Sequence, residues 1–174
     1  MYCEDQYCFR AMEKADIEWL RLLHNDPEVL QMLTDTSFVG ELRQELWFEN
    51  MSKNRTSQRL IILFDGKRIG VVRLDDIDYQ NKSICIGLDI EKKYRSKGHG
   101  YSSFNVLLKY CFNELNMNRV WLFVTTFNDK ALGLYQKLGF QEEGRQRERI
   151  YRNGHYHDYV MLSILNNEYH SQIA

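Results

Sequence analysis

One proline, Pro27, stands in the 174 residues, so no proline-rich linker divides the chain. Long apolar runs are missing too: nothing reaches the roughly eighteen residues that a membrane-spanning helix needs. Behind Met1 come Glu4 and Asp5, which is not the charged-then-apolar order of a secretory leader. The chain is therefore expected to stay off the membrane and in the cytoplasm. Neither sign of charge prevails, and a formal net charge of −1 provides no long-range field for nucleic acid. Cysteine is sparse: Cys3, Cys8, Cys85 and Cys111 make no C-x-x-C pair and have no histidine at metal-ligand spacing. We read all four as reduced thiols, with no metal site among them. Repeats and low-complexity tracts are absent as well. What remains is a single domain over 1–174, with 44% hydrophobic residues for its core.

Periodicity assigns the elements. Tyr7 to Met12 reads as a short strand, and Ala15 to Leu23 places Ile17, Trp19, Leu20 and Leu23 at the spacing of an amphipathic helix. Asp26-Pro27 starts a second helix over Glu28 to Leu33, because aspartate caps and proline suits the first helical position. Glu41 to Met51 is a third, with Leu42, Leu46, Trp47 and Met51 on one face. Arg59 to Phe64 and Arg68 to Leu74 then flank Asp65-Gly66, a tight-turn dipeptide, and read as a hairpin. In Ser83 to Ile90, Ile84, Ile86, Leu88 and Ile90 alternate with Cys85, Gly87 and Asp89, so one strand face is apolar and the other small or polar. A helix from Gly98 to about Leu115, a strand Arg119 to Thr126 and a helix Asn128 to Leu138 stopped by Gly139 follow. A closing hairpin joins Gln141 to Tyr151 with Tyr156 to Leu165 around Asn153-Gly154. This order defines an α+β fold with one strand-helix-strand-helix core.

Between the strand ending at Ile90 and the helix bearing Phe104 lies Arg95-Ser96-Lys97-Gly98-His99-Gly100. Its glycines let the backbone approach a ligand with no side chain in the way. The first amides of the following helix are unpaired donors at its positive end, an arrangement suited to phosphate oxygens. The loop is neither G-x-G-x-x-G nor a Gly-Lys-Ser/Thr P-loop, so NAD and ATP are not indicated. Lys92, Lys93, Arg95 and Lys97 form a basic cluster there, either a solvated loop or support for the anion.

This loop, with Asn128 and the segment Leu134-Tyr135-Gln136-Lys137-Leu138-Gly139-Phe140, resembles the acetyl-CoA signature of the GNAT N-acetyltransferases. Asn128 to Gly154 resembles the bacterial spermidine acetyltransferases, and Asn153-Gly154-His155-Tyr156-His157-Asp158 resembles the terminal hairpin of the branch containing ribosomal-protein, spermidine, aminoglycoside and nucleotide-amino-sugar acetyltransferases. The resemblance implies the GNAT fold, a mixed, mostly antiparallel sheet flanked by helices, with Ser83 to Ile90 and Arg119 to Thr126 splayed apart around the cofactor. It implies acetyl-CoA as co-substrate, the pantetheine arm pairing with the backbone at Leu88 and Ile90. The pyrophosphate falls to Arg95, Ser96, Lys97, Gly98, His99 and Gly100, and Asn128 and Tyr135 face the cleft. By the same resemblance Tyr135 is the general acid for the departing thiolate, a role that suits a phenol protonated at neutral pH.

The base is less plainly marked. The strand position where the spermidine enzymes carry glutamate is Cys85 here, which weighs against a polyamine acceptor. Asp89 lies on the same strand face and is the candidate base, and Arg73, Asp75 and Asp76 are candidate substrate contacts. His155 and His157 lack a third metal ligand. Arg145, Arg147 and Arg149 put three cations on one strand face, either solvated or facing an acidic acceptor. Trp19, Phe38, Trp47 and Phe48 offer stacking surfaces or core. The expected function is acetyl transfer to the primary amine of a small acceptor, an amino sugar, polyamine or similar, by direct attack in a ternary complex. A protein N-terminus is the alternative acceptor, a non-catalytic acetyl-CoA sensor the alternative class, and homo-oligomerisation is open.

Overall fold

The structure, a computed structural model, describes residues 1–173. Its strands are β1 (Tyr2–Glu4), β2 (Tyr7–Ala11), β3 (Gln58–Phe64), β4 (Lys67–Asp78), β5 (Ser83–Ile90), β6 (Arg119–Thr125), β7 (Gln141–Arg152) and β8 (His155–Leu165). The helices are α1 (Ile17–His24), α2 (Pro27–Leu30), α3 (Glu41–Lys53), α4 (His99–Lys109), α5 (Asp129–Lys137) and α6 (Asn166–Ile173). A single sheet runs β1-β2-β3-β4-β5-β6-β8-β7, antiparallel except for the parallel pair β5 and β6. This is the α+β architecture the resemblance implies. No helix among the described residues is long and apolar enough to cross a membrane.

The pleat sends successive side chains to opposite faces, and each face has its own core. Leu60, Ile62, Val72, Leu74, Ile84 and Ile86 pack with Phe104, Leu107, Leu108 and Cys111 in one large cluster. On the other face Ile61 and Val71 meet Leu20, Leu23 and Val29 from α1 and α2 in a much smaller one. Alternation along β3, β4 and β5 therefore decides what each helix covers, and the polar face of β5 lies toward α1 to α3.

Turn chemistry holds where it was read. Asp65 and Gly66, and again Asn153 and Gly154, take the positive φ of tight hairpin turns, and Gly139 does so behind α5. Asp26 caps α2, its carboxylate accepting the Glu28 N–H at 2.9 Å. Several expectations are corrected. On α3, Leu42 and Leu46 are 70% and 53% exposed while Gln44 is buried. The space beneath α3 mixes the charged Arg59, Arg73 and Asp89 with apolar residues of α1, α2 and the sheet, and α3 presents Arg43, Gln44 and Trp47 to it rather than an apolar stripe. In β7, Glu148 adopts a positive φ and the register slips between Gln146 and Ile150. That bulge breaks the alternation that would align Arg145, Arg147 and Arg149, and Arg145 pairs with Glu142 instead.

Cys3 and Cys8 are not reduced: they are joined by a disulfide. The two face one another across the β1–β2 hairpin, a placement invisible without β1, which is too short to show alternation. Cys85 and Cys111 are free thiols as expected. α6 was also unforeseen; its Tyr169 stacks on Phe112 at 4.8 Å between ring centroids and joins the large core.

Candidate active site

Parallel pairing between β5 and β6 lasts only from Ser83, Ile84 and Cys85 to Arg119, Val120 and Trp121. Beyond Cys85 the strands separate, leaving the backbone from Ile86 to Ile90 without a strand partner on that side. The gap holds a cavity of about 200 Å³ walled by Leu88, Phe104, Val124, Asn128, Leu134 and Tyr135 among others. Thr125 also lines it, and its hydroxyl is buried without a hydrogen-bond partner. An orphaned donor and a free strand edge in one narrow gap fit an extended amide-bearing ligand such as the pantetheine arm of acetyl-CoA.

At the mouth of the gap the chain passes through Ser96 and Gly98, both at positive φ, into α4. Gly98 precedes the helix with no side chain capping its amides, so the first N–H groups of α4 are open to an anion. A side chain at 98 would be strained by a φ of +87°, whereas a Cβ at 100 would meet only Leu134, at an ordinary 3.6 Å. The requirement for glycine thus falls on Gly98 as far as protein atoms decide it.

The side chains of the loop do other things. Arg95 donates to the Ile90 carbonyl at 2.7 Å, to Asp26 at 2.8 Å and to Glu28 at 2.7 Å, tying the loop to α2. His99 is buried, its Nδ1 2.8 Å from the Tyr7 hydroxyl and its ring against Phe64 and Tyr94. Lys97 donates to the Lys93 carbonyl, while Lys92 and Lys93 pair with Glu28 and Glu91. The basic cluster is therefore largely neutralised by its own neighbours. What Arg95, Ser96, Lys97, Gly98, His99 and Gly100 offer an anion together is backbone.

Asn128 and Tyr135 both face the gap, as their spacing on α5 implies. Asn128 also caps α5, its side-chain oxygen accepting the Ala131 N–H at 3.2 Å. Tyr135 packs edge-on against Phe104. Burial pushes its phenol above the ordinary tyrosine range; Arg73 opposes the shift and Asp89 adds to it.

A second cavity, about 370 Å³, lies between the sheet and α1 to α3, lined by Leu20, His24, Gln44, Trp47, Arg43, Arg59, Val71 and others. Leu33, Thr34, Arg73 and Asp89 belong to both cavities. The bridge carrying Leu33 and Thr34 is held from β7, where Arg152 donates to the carbonyls of Gln31 and Leu33. Arg73 and Asp89 sit on adjacent strands with Arg73 Nε 3.5 Å from an Asp89 oxygen, and this carboxylate raises the proton affinity of the guanidinium despite its partial burial. Asp75 belongs to a different pair, accepting from Arg59 at 2.8 Å, and Asp76 is an exposed residue at positive φ. Of the four aromatics singled out, Trp47 lines this cavity, Trp19 lies under Arg68, Phe48 lines a separate surface hollow and Phe38 is exposed.

Sequence reading missed Thr125, Tyr159 and Gly87. Tyr159 stacks on Phe123 and its hydroxyl lies 3.4 Å from that of Thr34; only the β6–β8 pairing brings it here. Gly87 gave a signal, a glycine inside a strand, which marks close approach of another group.

The family model described as an acetyltransferase (GNAT) domain matches residues 6–141, and the chain belongs to the GNAT acetyltransferases. It is an acetyl-CoA-dependent N-acetyltransferase. Among its relatives is the spermidine N(1)-acetyltransferase of Vibrio cholerae serotype O1, 29% identical over 167 residues that cover 94% of this chain and 95% of that one. A crystal structure of the V. cholerae enzyme in complex with CoA and spermine superposes with a TM-score of 0.90 at 27% identity, covering 95% of this chain and 99% of that one. A dodecameric structure of the same enzyme gives 0.83 at 28% identity over 98% and 100%.

Proposed function

We propose that the chain moves the acetyl group of acetyl-CoA to the primary amine of a small acceptor by direct attack, with both substrates bound at once. The meeting of the two cavities at Arg73 and Asp89 carries this reading. One cavity, with an unpaired strand edge and open helix amides, suits the long cofactor. The other, roofed by α1 to α3, suits a small amine better than a protein N-terminus. Acetyl-CoA supplies the thioester carbonyl. Held from opposite sides, amine and carbonyl need no diffusive encounter. Asp89, at the junction, takes the proton the amine must lose. Tyr135, kept protonated by burial, supplies one to the leaving sulfur, and its presence speaks against a sensor without turnover.

The bound spermine in the V. cholerae enzyme puts polyamines on the acceptor panel. We propose that the chain works in the cytoplasm and self-associates. Support for self-association comes from the dodecameric relative and from the exposed apolar residues Leu22, Phe38, Leu42 and Leu46. Thiol release from acetyl-CoA across polyamines, amino sugars, amino acids and short peptides tests the reaction. Transfer to peptides alone, or binding of acetyl-CoA without transfer to any amine, would overturn it.

A further inference from the structure

We propose that the acceptor carries an anionic oxygen group, carboxylate or phosphate, beside its amine, and that Arg73 selects it. This rests on the transferase reading above and narrows its acceptor. Arg73 crosses from β4 onto Gly87 of β5, its cross-strand partner. A Cβ on residue 87 would stand 2.8 Å from Nη2 and 3.1 Å from Nε, so the guanidinium lies flat on bare backbone. Its Nε is buried with no hydrogen-bond partner, because the 3.5 Å to Asp89 exceeds hydrogen-bond distance. About a third of the side chain remains open, 35% by exposure. Arg73 lines both cavities, and its guanidinium is a fixed fork of five donors, of which the buried Nε is unpaired.

No other group in the acceptor cavity is in that condition. Arg59 is engaged by Asp75 at 2.8 Å and by the Leu74 carbonyl. Arg43 reaches Asp35 at 3.4 Å near the rim, where both are mostly exposed. His24 faces the Ser37 carbonyl. Both carboxylates lining the cavity, Asp35 and Asp89, thus already have an arginine beside them. Cys85, the next side chain inward on the face of Gly87 and Asp89, is a thiol that burial pushes up to about 12 and so adds no negative charge. The distal ammonium of a polyamine finds each of the two carboxylates shared with an arginine, whereas an anion finds three arginines, Arg43, Arg59 and Arg73, in the lining, and Arg73 makes only an ion pair, with no hydrogen bond to Asp89. Leaving such a donor unpaired is costly, and filling it discriminates strongly between acceptors.

The test is thiol release with matched acceptors: glucosamine against glucosamine 6-phosphate, butylamine against 4-aminobutyrate, and spermidine. Wild type is compared with Arg73→Met and Arg73→Lys, and acetyl-CoA affinity is measured by calorimetry. In wild type at least one anionic member should exceed its neutral parent about tenfold or more in kcat/KM, and the pair that responds tells phosphate from carboxylate. Arg73→Met should abolish that preference mainly through acceptor KM while acetyl-CoA affinity holds; Arg73→Lys, with charge but no fork, should restore part of it. Preference for spermidine or for the neutral parents, or an equal loss for every acceptor in Arg73→Met, would overturn the selection role and leave the transferase standing. Binding of acetyl-CoA with no transfer to any amine would overturn both.

Discussion

The two cavities are built from different materials. On the proposed cofactor side the groups open to a ligand are largely main chain, the free edge of β5 and the first amides of α4, backed by the large core. On the proposed acceptor side they are side chains of α1 to α3 and of the polar face of the sheet, backed by only five buried apolar residues. A backbone site tolerates substitution wherever φ and space permit, so one motif serves many sequences. A side-chain site changes with every residue, so specificity drifts there while the chemistry stays.

The sharpest way to separate the sides is Tyr135→Phe, which removes one oxygen from the wall of the gap between β5 and β6. It should lower kcat by about a hundredfold or more and leave acetyl-CoA affinity unchanged by calorimetry; normal turnover would remove Tyr135 as the acid. Next comes the anchor of the acceptor wall. Asp16, 1% exposed, accepts from Arg10 at 2.7 and 2.8 Å, from Arg68 at 2.9 Å and from the Glu13 N–H at 2.9 Å. Burial alone would raise its carboxyl, but these bonds prevail and hold it down to about 2. A depressed folded-state pKa stabilises above the unfolded value near 4, and that contribution is lost as pH falls through the folded one. Asp16→Asn should therefore cost about 2–3 kcal/mol at neutral pH, and the wild-type advantage in denaturant melts should vanish between about pH 4 and pH 2.

Gly98→Val strikes the backbone side instead. Strain at a positive φ of about 1–2 kcal/mol should weaken acetyl-CoA binding about tenfold, with acceptor KM little changed; a specific loss on the acceptor side would contradict the division. A smaller effect concerns pH. Because burial raises the Tyr135 phenol, it stays protonated through the range in which an ordinary tyrosine titrates, so kcat should show no descending limb up to about pH 10. The least consequence attaches to the disulfide of the β1–β2 hairpin, whose residues line neither cavity: mass spectrometry of alkylated, unreduced protein should find two free thiols rather than four, matching the single disulfide.

Much of this was legible because it is local. The alternation in Ser83–Ile90, the turns at Asp65-Gly66 and Asn153-Gly154 and the stop at Gly139 each report the conformation of their own residues. The glycine loop and Tyr135 were legible for the same reason, being fixed by a helix start and a helix face. The acceptor side was not. Gln44 inward and Leu42 outward on α3 reflect what lies beneath the helix, and the bulge at Glu148 reflects Asp158 across the hairpin, whose carboxylate accepts the Glu148 N–H at 3.0 Å. Cys3 and Cys8 pair because of strand register, which cysteine spacing does not encode.

The sequence by itself determined the class of fold, the glycine loop ahead of a helix and the placing of Tyr135 on a helix face, since periodicity and φ preference are properties of neighbouring residues. Only the tertiary structure decided that Arg73 lies on Gly87, that Asp89 stands beside it without a hydrogen bond, and that Thr34 and Tyr159 close on the same junction. Those contacts join residues distant along the chain, through strand pairing and helix packing that no local preference specifies.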